Sequence, residues 1–369
     1  MTRFYFDHNA TTPVSERALA EMTSCLRDDF GNPSSIHQDG QAAKQRLETA
    51  RRQVAAAVGA DPDEVVFTSG ATEANNMALF GLRPRHVITS TIEHPAVGQV
   101  CAELERRGAQ VTYVPVSGAG IVDPDDVRRA LRPETDLISV MAVNNELGTI
   151  QPIEELAQLG VPVHSDSVQA LGKIAMTPIA LRSFSAHKIY GPKGVGALVM
   201  RGGVTLESTY FGGRHERGRR PGTENLSGAV GFGAAATELG HDHEPMWALR
   251  DRLEQGILDR VPNSFVNAGT GPRVGNTTNI RFDGVEGEAM LIALDLKGFA
   301  VSSGAACSSG KVEPSHVLMA LGLSKDQARS SIRFSVGRTN DAAQVDALVD
   351  AVATVAARLR KLSPVYVGV

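Results

Sequence analysis

Cysteine is scarce in this sequence: three residues in 369, Cys25, Cys101 and Cys307, far apart and odd in number. A disulfide framework is excluded on that count, each thiol stands alone, and a reducing cytoplasm is the expected compartment. Long apolar runs are missing too. No stretch approaches the roughly 18 residues a membrane span requires, and the opening Met1-Thr2-Arg3-Phe4-Tyr5-Phe6-Asp7 has no apolar signal region. Charge of one sign is lacking: 37 basic residues face 41 acidic ones, a formal net charge of −4. No broad field attracts nucleic acid or anionic lipid, so a cluster such as Arg214–Arg220 needs a local explanation. Internal repeats and low-complexity segments are absent. No Gly-x-Gly-x-x-Gly fingerprint follows a strand-like run, which argues against a nicotinamide dehydrogenase.

The composition that remains, 42% hydrophobic and 21% charged, is ordinary for a soluble globular enzyme. The length predicts two domains, or one large domain with an appendage. Short apolar runs alternate with amphipathic stretches from about residue 64. Strands are expected at 64–68, 86–91, 111–116, 137–143, 161–165 and 196–200, with helices opening at Ser69–Glu73 and covering 95–107 and 124–131. Such alternation predicts an α/β fold whose mostly parallel central sheet carries helices on both faces. Beyond about Gly240 the pattern changes to helix 244–260, strand 278–282, helix 287–296, strands 300–302 and 331–336, and helix 342–361. This reads as a smaller α+β domain. The expected division is a large domain over 13–242 and a small one formed by 1–12 with 243–369.

Open α/β sheets bind ligands beyond the carboxyl ends of their strands. Five polar clusters fall at such ends: Ser69–Glu73, Glu93-His94, Asn144-Asn145, Asp166–Gln169 and Ser185–Lys188. Lys188, between Ser, His and a Gly/Pro turn, has the setting of a lysine that forms a Schiff base with an aldehyde cofactor; a lone lysine is otherwise a solvated surface group. Asp166 directly follows an apolar run and suits the protonated nitrogen of a pyridine ring, an alternative to a plain helix cap. Gln169 is within reach of such a ring's oxygen. Gly70-Ala71-Thr72 at a helix start offers free N–H groups to a phosphate, although a capping box explains the same residues. His94 is suited to stack on a flat ring and move protons. Together these groups make up the parts of a pyridoxal-phosphate (PLP) site.

Cys307 lies among small residues, Val301-Ser302-Ser303-Gly304-Ala305-Ala306-Cys307-Ser308-Ser309-Gly310-Lys311, which predicts a loop able to carry a thiol to a substrate and then to a partner. A free thiol with a pKa of about 8.5 needs a nearby cation or imidazole to react as thiolate at neutral pH. Cys25 and Cys101 lie in helical stretches and are expected to be inert core thiols.

Asp7-His8-Asn9-Ala10-Thr11-Thr12-Pro13, Gly31-Asn32-Pro33-Ser34-Ser35, Phe67–Glu73, Val143-Asn144-Asn145-Glu146, the Lys188 segment, Glu216–Thr223, Ser302–Cys307 and Ser331–Ser335 follow in order along nearly the whole chain. This series resembles the cysteine desulfurases of iron–sulfur cluster assembly. The resemblance implies a homodimer of the aspartate-aminotransferase fold, class V, PLP fold type I. It implies Lys188 as the covalent PLP lysine, Asp166 at the pyridine nitrogen, Gln169 at the phenolic oxygen and His94 over the ring. Phosphate is then held at Ala71, Thr72, Ser185 and His187, with Thr223 supplied by the other subunit. Asn145, also beside the cofactor, would hold the L-cysteine carboxylate with Arg333, whose bland alternative is an exposed strand residue. Lys188, assisted by His94, would move the Cα proton, and Cys307 would take the sulfur as a persulfide, leave L-alanine, and pass sulfur to an iron–sulfur scaffold or another carrier. No resident metal site is implied. Selenocysteine lyase, a desulfurase dedicated to tRNA thiolation and a non-catalytic binding partner are the competing readings.

Three departures from the family pattern stand out. The segment between Lys173 and Ser183 is short, Arg214-His215 replaces the glycine or glutamine often seen there, and the sequence ends at Val369, short of the usual C-terminal tail. Weak docking to the usual scaffold, or a different acceptor, is the expectation drawn from the last.

Overall fold

The computed structural model describes residues 3–240, 243–303 and 313–362. The chain opens with the short strand β1 (Phe4–Tyr5) and two helices, α1 (Glu16–Asp28) and α2 (Gln38–Val58). Ser15 starts α1 by accepting the Ala18 N–H, and Gly59 ends α2 in the left-handed conformation at φ 62°. Then follow β2 (Val65–Thr68), α3 (Ala71–Leu82), β3 (His86–Ser90), α4 (Pro95–Arg106), β4 (Gln110–Val114), α5 (Pro124–Ala130), β5 (Thr135–Ser139), α6 (Ile153–Ala157), β6 (Val163–Asp166), β7 (Leu181–Ser185), β8 (Gly196–Met200) and α7 (Leu226–Ala236). The remainder comprises α8 (His243–Arg260), β9 (Ser264–Val266), β10 (Thr277–Phe282), α9 (Gly287–Leu296), β11 (Phe299–Ala300), α10 (His316–Ala320), α11 (Lys325–Arg329), β12 (Ser331–Ser335) and α12 (Ala342–Leu362).

A seven-stranded sheet in the order β2-β8-β7-β6-β5-β3-β4 forms the centre of the chain. The pairs β3–β4, β3–β5, β5–β6 and β6–β7 are parallel, whereas β8 runs antiparallel to both β7 and β2. The mostly parallel α/β sheet expected from the sequence is therefore present, with antiparallel pairings at β8. Its inner strands are buried on both faces, as the continuous apolar run Gly196-Ala197-Leu198-Val199-Met200 requires. The run read as a strand to Val143 is regular only to Ser139, although Val140 and Ala142 still donate to the carbonyls of His164 and Asp166.

Helices α1, α2 and α7 pack together against one sheet face, in a core that holds Ala18, Leu47, Val54, Phe67, Phe184 and Phe232. Glycine allows α7 its close approach. A Cβ on Gly231 would meet the Met22 sulfur at 2.5 Å, and one on Gly233 would meet the Ala50 Cα at 2.8 Å. On the other face, α3 and α4 cover Val66, Val87, Leu137 and Leu198. A separate apolar cluster joins α8, α9 and α12 to the three-stranded sheet β12-β10-β9, and Phe6 from the start of the chain sits within it at 0% exposure. The same start reaches the C-terminal half through the parallel pair β1–β11 and the Asp7–Ser335 bridge. The residues after β1 thus lie between the large sheet and the C-terminal elements. That position decides the geometry of the site.

Candidate active site

A cavity of about 350 Å³ opens beyond the ends of β2, β5, β6 and β7. Its lining includes Ala71, Thr72, His94, Asn145, Asp166, Gln169, Ser185, His187, Lys188 and Arg333, brought together from positions scattered along the chain. Thr223 is exposed and is not part of this lining. Cys307 lies outside the described residues, but Ser302, shortly before it, lines the cavity, and Ser315, shortly after, donates to Glu146 at 2.5 Å.

Lys188 ends the 3₁₀ turn Ala186–Lys188 that follows β7. Its Nζ donates to the carbonyl oxygens of Asn9 at 2.6 Å and Ala10 at 2.7 Å. Burial, reinforced by the Arg333 cation, lowers its pKa to about 8. The amine is therefore far closer to its nucleophilic neutral form at pH 7 than a surface lysine.

Asp166 ends β6 and is 7% exposed. Asn75 of α3 donates to its Oδ2 at 2.9 Å, and the Val168 N–H approaches its Oδ1 at 3.2 Å. Those contacts fix the carboxylate plane while its edge borders the cavity, the arrangement that a cationic ring nitrogen requires. Gln169, on the turn just after, donates from Nε2 to the Asn9 carbonyl at 3.0 Å.

At the start of α3, the Ala71 N–H donates to the Ser185 Oγ at 2.8 Å. With that lone pair used, the Ser185 hydroxyl hydrogen is left to find an acceptor. The chain must pass closely here: a Cβ on Gly196 would lie 2.6 Å from the Gly70 Cα. His187 is held neutral, its pKa lowered to about 4 by burial and then by Lys188, and its Nδ1 lies 3.2 Å from the Thr11 hydroxyl. Helix start, hydroxyl and imidazole form a cradle that suits a phosphate dianion. This donor set, the Asp166 edge and the amine of Lys188 fit PLP.

His94 caps α4, with the Ala96 N–H donating to its Nδ1 at 3.1 Å and Pro95 in the first helical position. Burial lowers its pKa, so the ring is neutral, and the occupied Nδ1 puts the proton on Nε2. One nitrogen of this histidine thus caps the helix, while the ring lines the cavity. Its neighbour Glu93 is buried, which raises its pKa to about 8 and keeps it protonated. Its Oε1 accepts from the Ser90 hydroxyl at 2.5 Å and the Met141 N–H at 3.0 Å.

Arg333 is 4% exposed, in the centre of β12, so it is no surface residue. Its guanidinium pairs with Asp7 at 2.7 Å and donates to the Asn145 carbonyl at 3.0 Å, and its Nε is buried with no partner among the described residues. A planar fork with donors to spare, at the wall of a cavity, is suited to a ligand carboxylate. Cys25 and Cys101 are buried in α1 and α4, and burial raises both thiols, Cys101 to about 12, as expected of core residues.

Several residues of the site were not assigned a role from sequence. Asn9 is the main one: its carbonyl receives both Lys188 and Gln169, and its side chain donates to the Asn145 carbonyl and Thr277 hydroxyl. Asp7, Asn75 and Lys173 also escaped. The motif Asp7-His8-Asn9-Ala10 was visible, but nothing local to it reveals which distant groups it meets.

Fold and site together define a class-V aminotransferase, and the model of that family, described as aminotransferase class-V, matches residues 4–348. The chain belongs, within it, to the cysteine desulfurases. It is 46% identical to a cysteine desulfurase of Cereibacter sphaeroides over 99% of this chain and 98% of the relative. It is 42% identical to the cysteine desulfurase IscS of Methanosarcina thermophila over 98% and 93%. Among solved structures, a NifS-like protein matches with a TM-score of 0.90 at 35% identity, covering 97% of this chain and all (100%) of that one. SspA in complex with cysteine matches with a TM-score of 0.82, also at 35% identity, over 91% and 99%. No helix among the described residues is long and apolar enough to cross a membrane.

Proposed function

We propose that this cysteine desulfurase uses PLP held by the cavity residues to take sulfur from L-cysteine onto Cys307. The observation that carries the reading is the convergence of Lys188, Asp166, His94 and Arg333 on one cavity. PLP, when bound, supplies an aldehyde for amine exchange and a ring that accepts the electrons of the Cα–H bond. Lys188 is its covalent anchor, Asp166 keeps the ring nitrogen protonated, Gln169 donates to the ring oxygen, and Ala71, Thr72, Ser185 and His187 hold the phosphate.

Arg333 takes the substrate carboxylate, with the Asn145 side chain beside it, and so orients the amino acid's Cα. Released from the anchor, Lys188 with its lowered pKa of about 8 is the base for the Cα proton. His94 keeps its proton on Nε2 and donates near the reacting atoms. The Cys307 thiolate then attacks the substrate sulfur. An S–S bond forms, the C–S bond breaks, its electron pair stays on carbon, and a proton returned there gives L-alanine. Cys307 is left as a persulfide for a protein acceptor, an iron–sulfur scaffold or another sulfur carrier.

The reading extends to assembly and organisation. The exposed apolar face of α1 and the loop after it, with Leu19, Leu26, Phe30 and Ile36, supports a homodimer in which Thr223 completes the partner's phosphate cradle. Separate apolar clusters support a cofactor domain over 13–242 and a smaller one from 1–12 with 243–369. Two core thiols with no disulfide support a cytoplasmic site of action.

The test is Cys307→Ser. With PLP added, the variant is expected to keep the visible absorption of the wild-type protein and to form no protein-bound persulfide from L-cysteine. Sulfide and alanine released at the wild-type rate would refute the role of Cys307.

A further inference from the structure

Gln169 lines the large cavity, whereas Lys173 lines a second, smaller one on the far side of Lys188, together with His8, Tyr190 and Arg338. The two residues meet through the wall between these cavities. The turn after β6 brings this about: Ala170 donates to the Ser167 carbonyl and Lys173 to that of Ala170, and Gly172 takes a φ of 73°. A Cβ on Gly172 would meet Leu239 at 2.5 Å. Lys173 thereby folds back under Gln169, and its Nζ donates to the Gln169 Oε1 at 2.8 Å, with Asn9 Oδ1 3.5 Å away.

A carboxamide has one accepting and one donating end, and its neighbours decide which way it points. Around Gln169 they agree. The Asn9 carbonyl can only accept, so it requires Nε2, and the Lys173 amine donates, so it requires Oε1. The second Nε2–H is then the group left for the large cavity. Among the described residues no carboxylate acts on Lys173 beside burial: the charged groups that do are Lys188 and Arg333, and it lowers His8 in turn. A lysine amine donates whether charged or neutral, so the contact survives across the working pH range.

The geometry points to Lys173 as a positioning residue that locks the Gln169 amide with its donor toward the cofactor's ring oxygen. The inference rests on the PLP reading above. An N–H donated to that oxygen stabilises it as an anion. Without the lock, the amide is free to turn, and the proton shared between the ring oxygen and the neighbouring nitrogen is held more tightly.

The experiment is a pH titration of the visible band of the PLP-loaded protein in the wild type, Lys173→Met, Gln169→Leu and the double variant. The midpoint is expected to rise by about one pH unit in each single variant and to stay at the Gln169→Leu value in the double, because groups acting through one contact are not additive. Lys173→Arg, which keeps a donor, is expected to return the midpoint toward the wild type. Lys173→Gln, too short to reach, serves as a second variant if the methionine disturbs folding, with the same rise expected. An unchanged midpoint in Lys173→Met overturns the proposal. So does an equal rise in both backgrounds, which would mean that Lys173 acts by charge alone. A wild-type protein that shows no visible band after PLP is added overturns the cofactor reading itself, and the proposal with it.

Discussion

The Nζ of Lys188 lies 2.6 Å from the carbonyl oxygen of Asn9, a residue 179 positions earlier in the chain. Neither this carbonyl nor that of Ala10 carries a charge, so the two aim the amine, while Asp166 and Asp7 are the groups that favour its charged form. The start of the chain thus holds the Lys188 amine at the cavity wall.

Capture of PLP by the apo-protein is expected to follow the neutral fraction of that amine. With a pKa lowered to about 8, the rate should rise about tenfold per pH unit below pH 8 and level off above it. An ordinary lysine would keep rising toward pH 10.5. Stopped-flow absorption at fixed PLP concentration measures the profile, and borohydride reduction followed by peptide mass spectrometry should locate the label on Lys188.

His94 caps α4 through Nδ1 and, in the proposed reading, serves the reaction through Nε2; Asn separates the two because it is itself a good helix cap. His94→Asn is expected to keep stability within about 0.5 kcal/mol while the turnover of L-cysteine falls at least about a hundredfold. A loss of stability of 1 kcal/mol or more, matching the loss of activity, would make the histidine a cap alone.

Arg333→Lys keeps the charge and removes the fork. A loss of about a hundredfold in kcat/KM for L-cysteine is expected, mainly in KM, with the visible band of the loaded protein unchanged. Equal kinetics would place the substrate carboxylate elsewhere.

Arg51 and Glu216 form an ion pair with side chains 4% and 1% exposed, and Glu216 also accepts the Phe67 N–H at the end of β2. Arg51→Met strands that carboxylate, so denaturant unfolding should show a loss of about 3–5 kcal/mol. The double change Arg51→Met with Glu216→Leu should recover part of it.

The central strands were legible because strands buried on both faces are continuous apolar runs, and β8 was read to the residue. The helices α2 and α7 went unread, and of α1 only the helical character around Cys25 was read. The sequence of α7, Leu226-Ser227-Gly228-Ala229-Val230-Gly231-Phe232-Gly233-Ala234-Ala235-Ala236, is glycine-rich and looks like a loop, and only its contacts with Met22 and Ala50 explain the glycines. Strand β7 was hidden by its polar content, Leu181-Arg182-Ser183-Phe184-Ser185, which is satisfied by neighbours such as His164, whose Nε2 lies 3.1 Å from the Ser183 Oγ.

The sequence by itself determined the chemistry. Aspartate, glutamine and histidine at the ends of apolar runs, and lysine after the more polar β7, must converge once those strands form one sheet, since strand ends on one edge share one crevice. Tertiary structure alone decided the states of those groups. That Lys188 rests on Asn9, that Arg333 is buried against Asp7, and that Lys173 holds Gln169 from behind all depend on segments distant in sequence. Hydrogen-bond partners and desolvation, which set orientation and proton affinity, are properties of the packed chain and are written in no local stretch of it.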